Sequence, residues 1–252
     1  MLRFQELVFG PIKSRRLGSS LGINLLPRDG KFCNYDCIYC ECGWNKDGVS
    51  PSHILPTASE IQYALSDKLI SCIEDGINID SITFSGNGEP TIHPEFAAVV
   101  DIVLELRDKY YPKAKVSVLS NATASGNSTV FKALRKIDNP ILKLDSCEDK
   151  GIEILNKPQN RVAARDIIQN MKKFEGNFIL QAMLLRSSDF DSLNSEHFSK
   201  WKDVIRELKP KEIQLYSLDR ETPDKSLSKI SIEEMRNATK DLLDEGYNIG
   251  YF

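Results

Sequence analysis

The feature that most constrains the fold of this chain is a regular alternation of two apolar patterns. Short runs rich in Ile, Val and Leu, typical of buried parallel strands, are separated by stretches in which apolar residues recur every three or four positions, as on one face of a helix. This alternation predicts βα units, because consecutive parallel strands need a crossover long enough to hold a helix. The predicted strands span residues 21–26, 81–85, 115–119, 141–145, 178–185 and 212–218.

The number of βα units predicts an open sheet. About six units are fewer than the eight that close a TIM barrel, so we expect an α/β fold with a partial parallel (β/α)6 barrel; a flat doubly wound sheet is the alternative. The chain has 252 residues without an internal repeat or an obvious linker, and α/β barrels often reach this length as one unit. We therefore predict a single domain over residues 1–252, in which residues 1–20 form a lead-in to the first strand.

One predicted βα connection, residues 27–58, is much longer than the rest. It holds roughly thirty residues, whereas most βα loops have about 2–6, and a loop of this length is usually functional. In parallel α/β folds, the loops that follow the carboxyl ends of the strands form the active face. The sequence therefore predicts the functional site in this loop, which also contains four of the six cysteines.

Three cysteines of this loop, Cys33, Cys37 and Cys40, have the spacing C-x3-C-x2-C. Thiolates are soft ligands that select Fe–S clusters, zinc or Cu(I). A structural [4Fe–4S] cluster takes four protein ligands, so a set of three leaves one iron open for another molecule. Cys42 is the candidate fourth ligand, although its spacing from Cys40 is short, and zinc sites usually combine two separated pairs of ligands. A structural cluster and a zinc site both stay open as alternatives.

The cysteine spacing, with an aromatic residue directly before the third cysteine, resembles the signature of the radical S-adenosylmethionine (radical SAM) superfamily. The run SGNGEPT at residues 85–91 is similar to the Gly-Gly-Glu-Pro element of that superfamily, with Asn87 in place of the second glycine. The resemblance covers nearly the whole chain and implies a partial barrel of six βα units.

A finer resemblance concerns one branch of that superfamily. The branch that includes the wyosine-base synthases of transfer RNA is similar in the runs SRRLG at 14–18, LGIN at 21–24 and CECG at 40–43. Those synthases carry further cysteines before the triad, and this chain has none before Cys33. The departure weakens the transfer of their RNA-modifying function to this chain.

The resemblance implies a cofactor set and a reaction. Cys33, Cys37 and Cys40 would hold a [4Fe–4S] cluster whose open iron binds the amino and carboxylate groups of S-adenosylmethionine (SAM). Reduction would cleave SAM to methionine and a 5′-deoxyadenosyl radical, which abstracts a hydrogen atom from the substrate. The resemblance also implies SAM-binding residues, which are Gly86, Asn87, Gly88 and Glu89 for the methionyl ammonium, Tyr39, Tyr216 and Leu218 for adenine, and Ser120 and Asn121 for the ribose or carboxylate.

Strand alternation independently predicts a polar barrel interior. Lys143 and Asp145 share one face of the fourth predicted strand, and Gln181 alternates with apolar residues in the fifth. Buried polar groups are costly unless they are paired or bind a ligand, so this face is predicted to form a ligand site. Gln181 is a candidate cofactor contact, and the candidate catalytic residues are Lys143, Asp145 and Cys147. A self-satisfied Lys143–Asp145 pair is the alternative.

The charge balance narrows the class of substrate. A net charge of −3 and a pI near 5.8 argue against a chain-wide basic surface for nucleic acid. We therefore expect an unidentified small molecule or cofactor precursor as substrate. Modification of a tRNA base is the alternative, modification of a peptide or protein is a third case, and a non-catalytic Fe–S or zinc protein is the alternative of another class. A phosphate-sized basic pocket around Arg15 and Arg16 would favour a nucleotide or phosphorylated substrate.

The remaining expectations concern partners and location. Radical SAM chemistry implies a low-potential electron donor of the flavodoxin or ferredoxin type. The sequence holds no unbroken apolar stretch of the kind needed for a secretory signal or a membrane span. We therefore predict a cytoplasmic protein with no membrane partner, while a nucleic-acid partner is less favoured but stays open.

Overall fold

The computed structural model describes residues 3–47 and 54–252. The strands in these ranges are β1 (Val8–Ser14), β2 (Gly18–Ile23), β3 (Ser81–Phe84), β4 (Lys115–Ser120), β5 (Asn139–Lys143), β6 (Ile179–Met183), β7 (Leu185–Arg186), β8 (Glu212–Tyr216), β9 (Ser228–Lys229) and β10 (Ile249–Tyr251). The helices are α1 (Ala58–Glu74), α2 (Phe96–Tyr110), α3 (Ser128–Leu134), α4 (Asp149–Leu155), α5 (Ala164–Lys172), α6 (Ser195–Leu208), α7 (Ile232–Ala238) and α8 (Lys240–Asp244).

Eight of these strands form one sheet in the order β1-β2-β3-β4-β5-β6-β8-β10. Strand β1 is antiparallel to β2, and the other neighbouring pairs are parallel. The sheet is an open, strongly curled half-barrel. The predicted α/β partial barrel is therefore confirmed, and the flat doubly wound alternative is wrong.

The edges of the sheet differ from the prediction. The expected lead-in over residues 1–20 contains β1 and the start of β2, which form a hairpin that adds an antiparallel strand; residues 1–2 lie outside the described residues. A seventh parallel strand, β10, was missed because three residues are too few to show a periodic pattern. The fifth predicted strand, 178–185, ends at Met183 because β7 leaves the main sheet and pairs with β9.

Two helical segments also differ. Helix α4 was missed, since it has only seven residues and includes Gly151. The last helical stretch of the chain is divided into α7 and α8 at Thr239, whose hydroxyl donates to the Met235 carbonyl at 2.8 Å. Capping boxes formed by Thr57 with Glu60 and by Ser231 with Glu234 explain where α1 and α7 begin.

The two faces of the sheet are apolar and polar, as the alternation predicted. Ile82, Leu142 and Leu180 are fully buried in the core that the strands share with the helices. The concave face carries hydrogen-bonded hydroxyls that link β2, β3 and β4, namely Ser20 to Thr83 (2.8 Å), Thr83 to Ser81 (3.1 Å) and Ser81 to Ser117 (2.9 Å). The interior is therefore polar but largely paired, and a ligand must bind above this layer.

The predicted long loop is the connection between β2 and α1, and residues 48–53 within it lie outside the described residues. It follows the carboxyl end of β2, as expected for the active face. None of the helices in the described ranges is both long and apolar enough to cross a membrane.

Candidate functional site

A cavity of about 420 Å³ lies on the concave face and opens to solvent. Its wall includes Tyr39 and Cys42 from the long loop, Gly86 after β3, and Met183 and Tyr216 at the carboxyl ends of β6 and β8. The β1–β2 hairpin and the segment after β8 also line it, so residues from both ends of the open sheet enclose the space. Its volume lies within the range of small-molecule sites, about 300–1,000 Å³.

The predicted cluster ligands Cys33, Cys37 and Cys40 are half-buried and free of disulfides. Amide groups point at two of the sulfurs: Cys33 Sγ accepts from the Tyr35 backbone N–H at 3.4 Å, and Cys37 Sγ accepts from Asn156 Nδ2 at 3.4 Å. Burial raises the pKa of Cys33 and of Cys37. In the metal-free chain these two thiols therefore keep their protons, which a metal must displace on binding.

A buried lysine closes the segment around these cysteines, here called the cluster loop (residues 31–45). Lys31 Nζ donates to Asp36 Oδ1 at 2.9 Å and to the Gly43 carbonyl at 3.1 Å, and its side chain is 1% exposed. Asn45 Nδ2 donates to the Cys33 and Tyr35 carbonyls, each at 3.0 Å. These contacts join the two ends of the cluster loop and hold the cysteines between them.

Lys31 keeps its positive charge although its side chain is buried. Burial on its own lowers the pKa of this amine, but Cys40 and Cys33 in their thiolate forms, together with the hydrogen bond to Asp36, outweigh burial, so the pKa of Lys31 is raised. The ammonium therefore stays charged beside the cysteines. A buried cation is expensive unless anions compensate it; the Asp36 carboxylate does so here, and the thiolate form of the cysteines would add to it.

The donor set fits a thiolate-bound Fe–S cluster. Within residues 3–47 and 54–252, no three His, Cys, Asp or Glu side chains form a ready-made site for a metal ion. The fit rests on chemistry instead: three neighbouring thiols, a buried ammonium, and N–H groups directed at sulfur, which is how proteins hold and tune such clusters.

Cys42 lies at the same place but makes different contacts. Its Sγ donates to the Gly86 carbonyl at 3.5 Å, and it also hydrogen-bonds the Cys40 thiol. This bond lowers the pKa of Cys40 and raises that of Cys42. Cys42 therefore contacts both a predicted cluster ligand and the turn predicted to hold SAM.

The turn after β3 needs its two glycines for close backbone approach. Gly86 and Gly88 have φ values of +133° and +144°, and a Cβ atom on Gly88 would overlap the Phe32 carbonyl. The Phe32 N–H donates to the Asn87 carbonyl at 2.8 Å, which joins this turn to the cluster loop. The Asn87 side chain points the other way and hydrogen-bonds Phe4 and Pro27.

Glu89 is buried and both of its carboxylate oxygens are occupied. Oε1 accepts from the N–H and hydroxyl of Thr91 at 3.0 and 2.6 Å and from the Ser120 hydroxyl at 2.9 Å. Oε2 accepts from the Asn121 N–H at 2.6 Å. The carboxylate thus ties the carboxyl ends of β3 and β4 together. Asn121 continues the link, since its Nδ2 donates to Asn34 at 2.8 Å and approaches Cys33 Sγ at 3.9 Å.

Asp145 has a similar role on the other side of the site. It accepts from the Tyr39 hydroxyl, from Asn156 Nδ2 at 2.8 Å and from the Met183 N–H at 2.8 Å. Lys143 Nζ lies 4.3 Å from the centroid of the Tyr39 ring and 5.1 Å from that of Tyr216. The lysine is thus held between two aromatic rings, and Asp145 is satisfied by three other groups.

Several of the predicted residues do not line the cavity wall, among them Gln181 and Cys147. Gln181 is buried, and its Nε2 donates to Gln214 Oε1 at 3.1 Å. Cys147 packs against the main core, and burial raises its pKa to about 11. Leu218 does line the cavity. Sequence reasoning missed Lys31 and Asn156; a lysine carries no pattern of its own, and the helix before Asn156 was itself missed.

Curated relatives of this chain are 26–28% identical to it. No family model matches. A "UPF0026 protein" of Helicobacter pylori (strain J99) is 28% identical over 91% of this chain and 71% of its own length. A "GTPase Obg" of Brachyspira hyodysenteriae is 27% identical over 92% of this chain, but the chain spans only 33% of that protein. The sequence has no G-x4-G-K-[ST] phosphate-binding loop of the kind that P-loop GTPases use.

Solved structures identify the fold. SuiB of Streptococcus suis, bound to S-adenosylmethionine, superposes with a TM-score of 0.64 at 17% identity over 92% of this chain and 50% of SuiB. A radical SAM methyltransferase of Sphaerobacter thermophilus gives a TM-score of 0.66 at 14% identity over 92% of this chain and 65% of the methyltransferase. The fold of this protein is therefore the open partial barrel found in these radical SAM enzymes.

Proposed function

We propose that this protein is a radical SAM enzyme. One observation carries the proposal: Cys33, Cys37 and Cys40 follow β2 on a partial barrel, with N–H groups directed at the sulfurs of Cys33 and Cys37, beside a cavity on the concave face. These three thiols would hold a [4Fe–4S] cluster with one open iron. When bound, that cluster supplies the low-potential electron that cleaves SAM.

Lys31 and two asparagines adjust the electrostatics of the cluster site. The buried Lys31 ammonium offsets part of the negative charge that three thiolates bring. Asn156 and Asn121 direct side-chain N–H groups at Cys37 and Cys33. Positive charge and hydrogen bonds at sulfur both favour the more negative, reduced state, so these residues raise the reduction potential.

The cavity wall supplies the contacts for SAM in this proposal. The Gly86 carbonyl, now bonded to Cys42, would accept from the methionyl ammonium. Tyr39, Met183, Tyr216 and Leu218 would contact adenine, since their side chains line the cavity.

The remaining predicted SAM residues would act by positioning. Asn87, Glu89 and Ser120 hydrogen-bond to neighbouring protein groups, and Asn121 lies between Glu89 and Cys33. We therefore propose that they hold the Gly86 turn and the cluster loop in a fixed position relative to each other.

Aromatic side chains would keep water from the reacting atoms. Phe4 and Phe9 stack with their ring centroids 3.9 Å apart, and both line the cavity. The Phe9 ring fills the space beside Gly22, where a Cβ atom would overlap it. Excluding water and other hydrogen donors suits radical chemistry, because it prevents side reactions.

A small molecule or cofactor precursor is the substrate class in this proposal, and modification of a tRNA base is the alternative. The cavity volume of about 420 Å³ and the net charge of −3 favour the small molecule. SuiB has been solved with its precursor peptide SuiA, but this chain spans 48% of SuiB, so we do not extend a peptide substrate to it. A flavodoxin- or ferredoxin-like donor, a single domain over 1–252 and a cytoplasmic location remain predictions.

The test is anaerobic reconstitution with iron and sulfide, followed by dithionite and SAM. We would quantify bound iron by spectroscopy and 5′-deoxyadenosine by chromatography. Wild-type protein should yield both, C33A should yield neither, and the control C72A, which changes a cysteine buried in the helical core, should behave as wild type. A wild-type chain that carries a full, reducible cluster yet neither binds nor cleaves SAM would contradict the proposal.

A further inference from the structure

Positive side chains gather around the opening of the cavity, although the chain as a whole carries a net charge of −3. The charged residues of the cavity wall, here called the mouth, are Lys13, Arg15, Arg16, Glu41, Asp219 and Arg220. Four cations against two carboxylates leave a formal charge of +2 on the wall. A cleft lined by one excess sign of charge raises the local concentration of ligands of the opposite sign.

Arg16 is the cation best placed to bind a ligand. Its guanidinium carbon lies 5.3 Å from the centroid of the Tyr216 ring, and within the described ranges it forms no ion pair with a carboxylate. The Ser14 hydroxyl accepts from the N–H groups of Arg16 and Leu17 at 3.2 and 3.1 Å, which holds the hairpin turn in place. Stacking of the guanidinium on a ring leaves its N–H donors available to an anion.

The other two arginines are held by exposed ion pairs. Arg15 Nη2 lies 3.0 Å from Asp219 Oδ2, with side chains 61% and 50% exposed, and Arg220 Nη1 lies 2.6 Å from Glu41 Oε2. Exposed pairs of this kind contribute little to stability, so an incoming anion can replace either carboxylate at small cost. The mouth can therefore turn two more guanidinium groups toward a ligand.

We propose that the mouth binds the phosphate group of a small phosphorylated substrate, with Arg16 as the principal contact and Lys13 as a second cation of the same wall. A phosphomonoester carries about −1.5 to −2 charge at pH 7, which matches the +2 of the wall, whereas a single carboxylate would leave one positive charge uncompensated. Glu41 and Asp219 in the same mouth would repel a long polyanion, so a small molecule is favoured over RNA. This inference rests on the proposed function, because it names the substrate class of that site.

The experiment uses the full chain without metal and titrates inorganic phosphate by calorimetry at constant ionic strength. R16Q should weaken phosphate binding by about tenfold, the effect of losing one hydrogen bond to a charged group. K13Q serves as the second variant, so that the result does not depend on the folding of R16Q. R165Q is the matched control, because Arg165 is an exposed arginine on α5, away from the mouth. Parallel titrations use acetate and a single-stranded oligonucleotide.

Tighter binding of phosphate than of acetate, weakened by R16Q and K13Q but not by R165Q, supports the inference. Binding that neither variant changes overturns it, and so does an oligonucleotide that binds more tightly than phosphate through Arg16. The SAM affinity of the reconstituted wild-type and R16Q proteins is measured in a separate titration. A loss of SAM affinity in R16Q as large as its loss of phosphate affinity also overturns the inference, because the cations would then serve the SAM carboxylate. Phosphate binding needs no cluster, so this outcome is independent of whether the reconstituted protein cleaves SAM.

Discussion

The cluster loop and the mouth border the same cavity but are held by opposite kinds of contact. In the cluster loop, the ammonium of Lys31 is 1% exposed and joins Asp36 to the Gly43 carbonyl. At the mouth, the side chains of Arg15 and Asp219 are 61% and 50% exposed. Buried, multiply bonded groups have one arrangement, whereas exposed pairs exchange partners freely. Under the proposed function, this difference suits rigid cofactor binding by the cluster loop and adaptable substrate binding at the mouth.

The sharpest test of this comparison is within the cluster loop itself. We expect C40A to lose the bound iron almost completely and C42A to retain it, because Cys40, and not Cys42, belongs to the proposed three-ligand set. Iron content and the visible absorption of the reconstituted proteins measure the difference. Loss of iron in C42A would make Cys42 a fourth ligand and would favour the non-catalytic Fe–S alternative.

A smaller effect, on the free energy of unfolding, is expected when the ion pair between Lys31 and Asp36 in the cluster loop is broken. K31M should lower the free energy of unfolding by about 2–3 kcal/mol, because removing one partner of a buried pair leaves the other uncompensated. Urea denaturation of the metal-free chain measures this change. The matched control is K229M, since Lys229 is exposed on β9 and should change the free energy by less than about 0.5 kcal/mol.

The ion pair between Arg107 and Asp138 in the barrel framework should have an effect of intermediate size. Burial on its own raises the pKa of Asp138, but the Val116 N–H and Arg107 together hold that pKa below its usual value. D138N should cost about 1 kcal/mol of unfolding free energy near neutral pH, a value already reduced for partial exposure.

The pH dependence of this effect has a defined sign. Because the folded-state pKa of Asp138 is lowered, its contribution is present above the unfolded value of about 4 and is lost as the pH falls through the folded value. Urea titrations of wild-type and D138N protein should therefore converge below about pH 4. A difference that stays constant down to pH 2 would show that the carboxylate charge is not responsible.

The smallest stability effect is expected at the mouth. D219N should change the free energy of unfolding by less than about 0.5 kcal/mol, because exposed ion pairs contribute little. Thermal or urea denaturation measures it beside D138N, which removes the same type of side chain from a less exposed pair. A loss as large as that of D138N would mean that the mouth is part of the rigid framework, and the comparison would fail.

Much of the barrel was predictable because its signals are local. Apolar runs and helical periodicity each arise within a few residues, and they located the six central strands. The capping boxes that begin α1 and α7 are equally local. The edges β1 and β10 were missed because a hairpin interrupted by Gly10 and Pro11 and a three-residue strand carry almost no periodic signal. They pair only because the neighbouring strands supply a template.

The candidate site likewise has a part that the sequence predicts and a part that it does not. The spacing of Cys33, Cys37 and Cys40 and the turn at Gly86 are local patterns, so the sequence by itself determined where the candidate metal-binding side chains lie along the chain and which chemistry they suit. Only the tertiary structure decided the partners of the two buried carboxylates: Glu89 ties β3 to β4, and Asp145 accepts from Tyr39. It also decided that Lys31 lies buried near the thiols and that the β1–β2 turn reaches Tyr216. The physical reason is that burial and hydrogen-bond partners come from residues far apart in the chain, and folding alone brings them together.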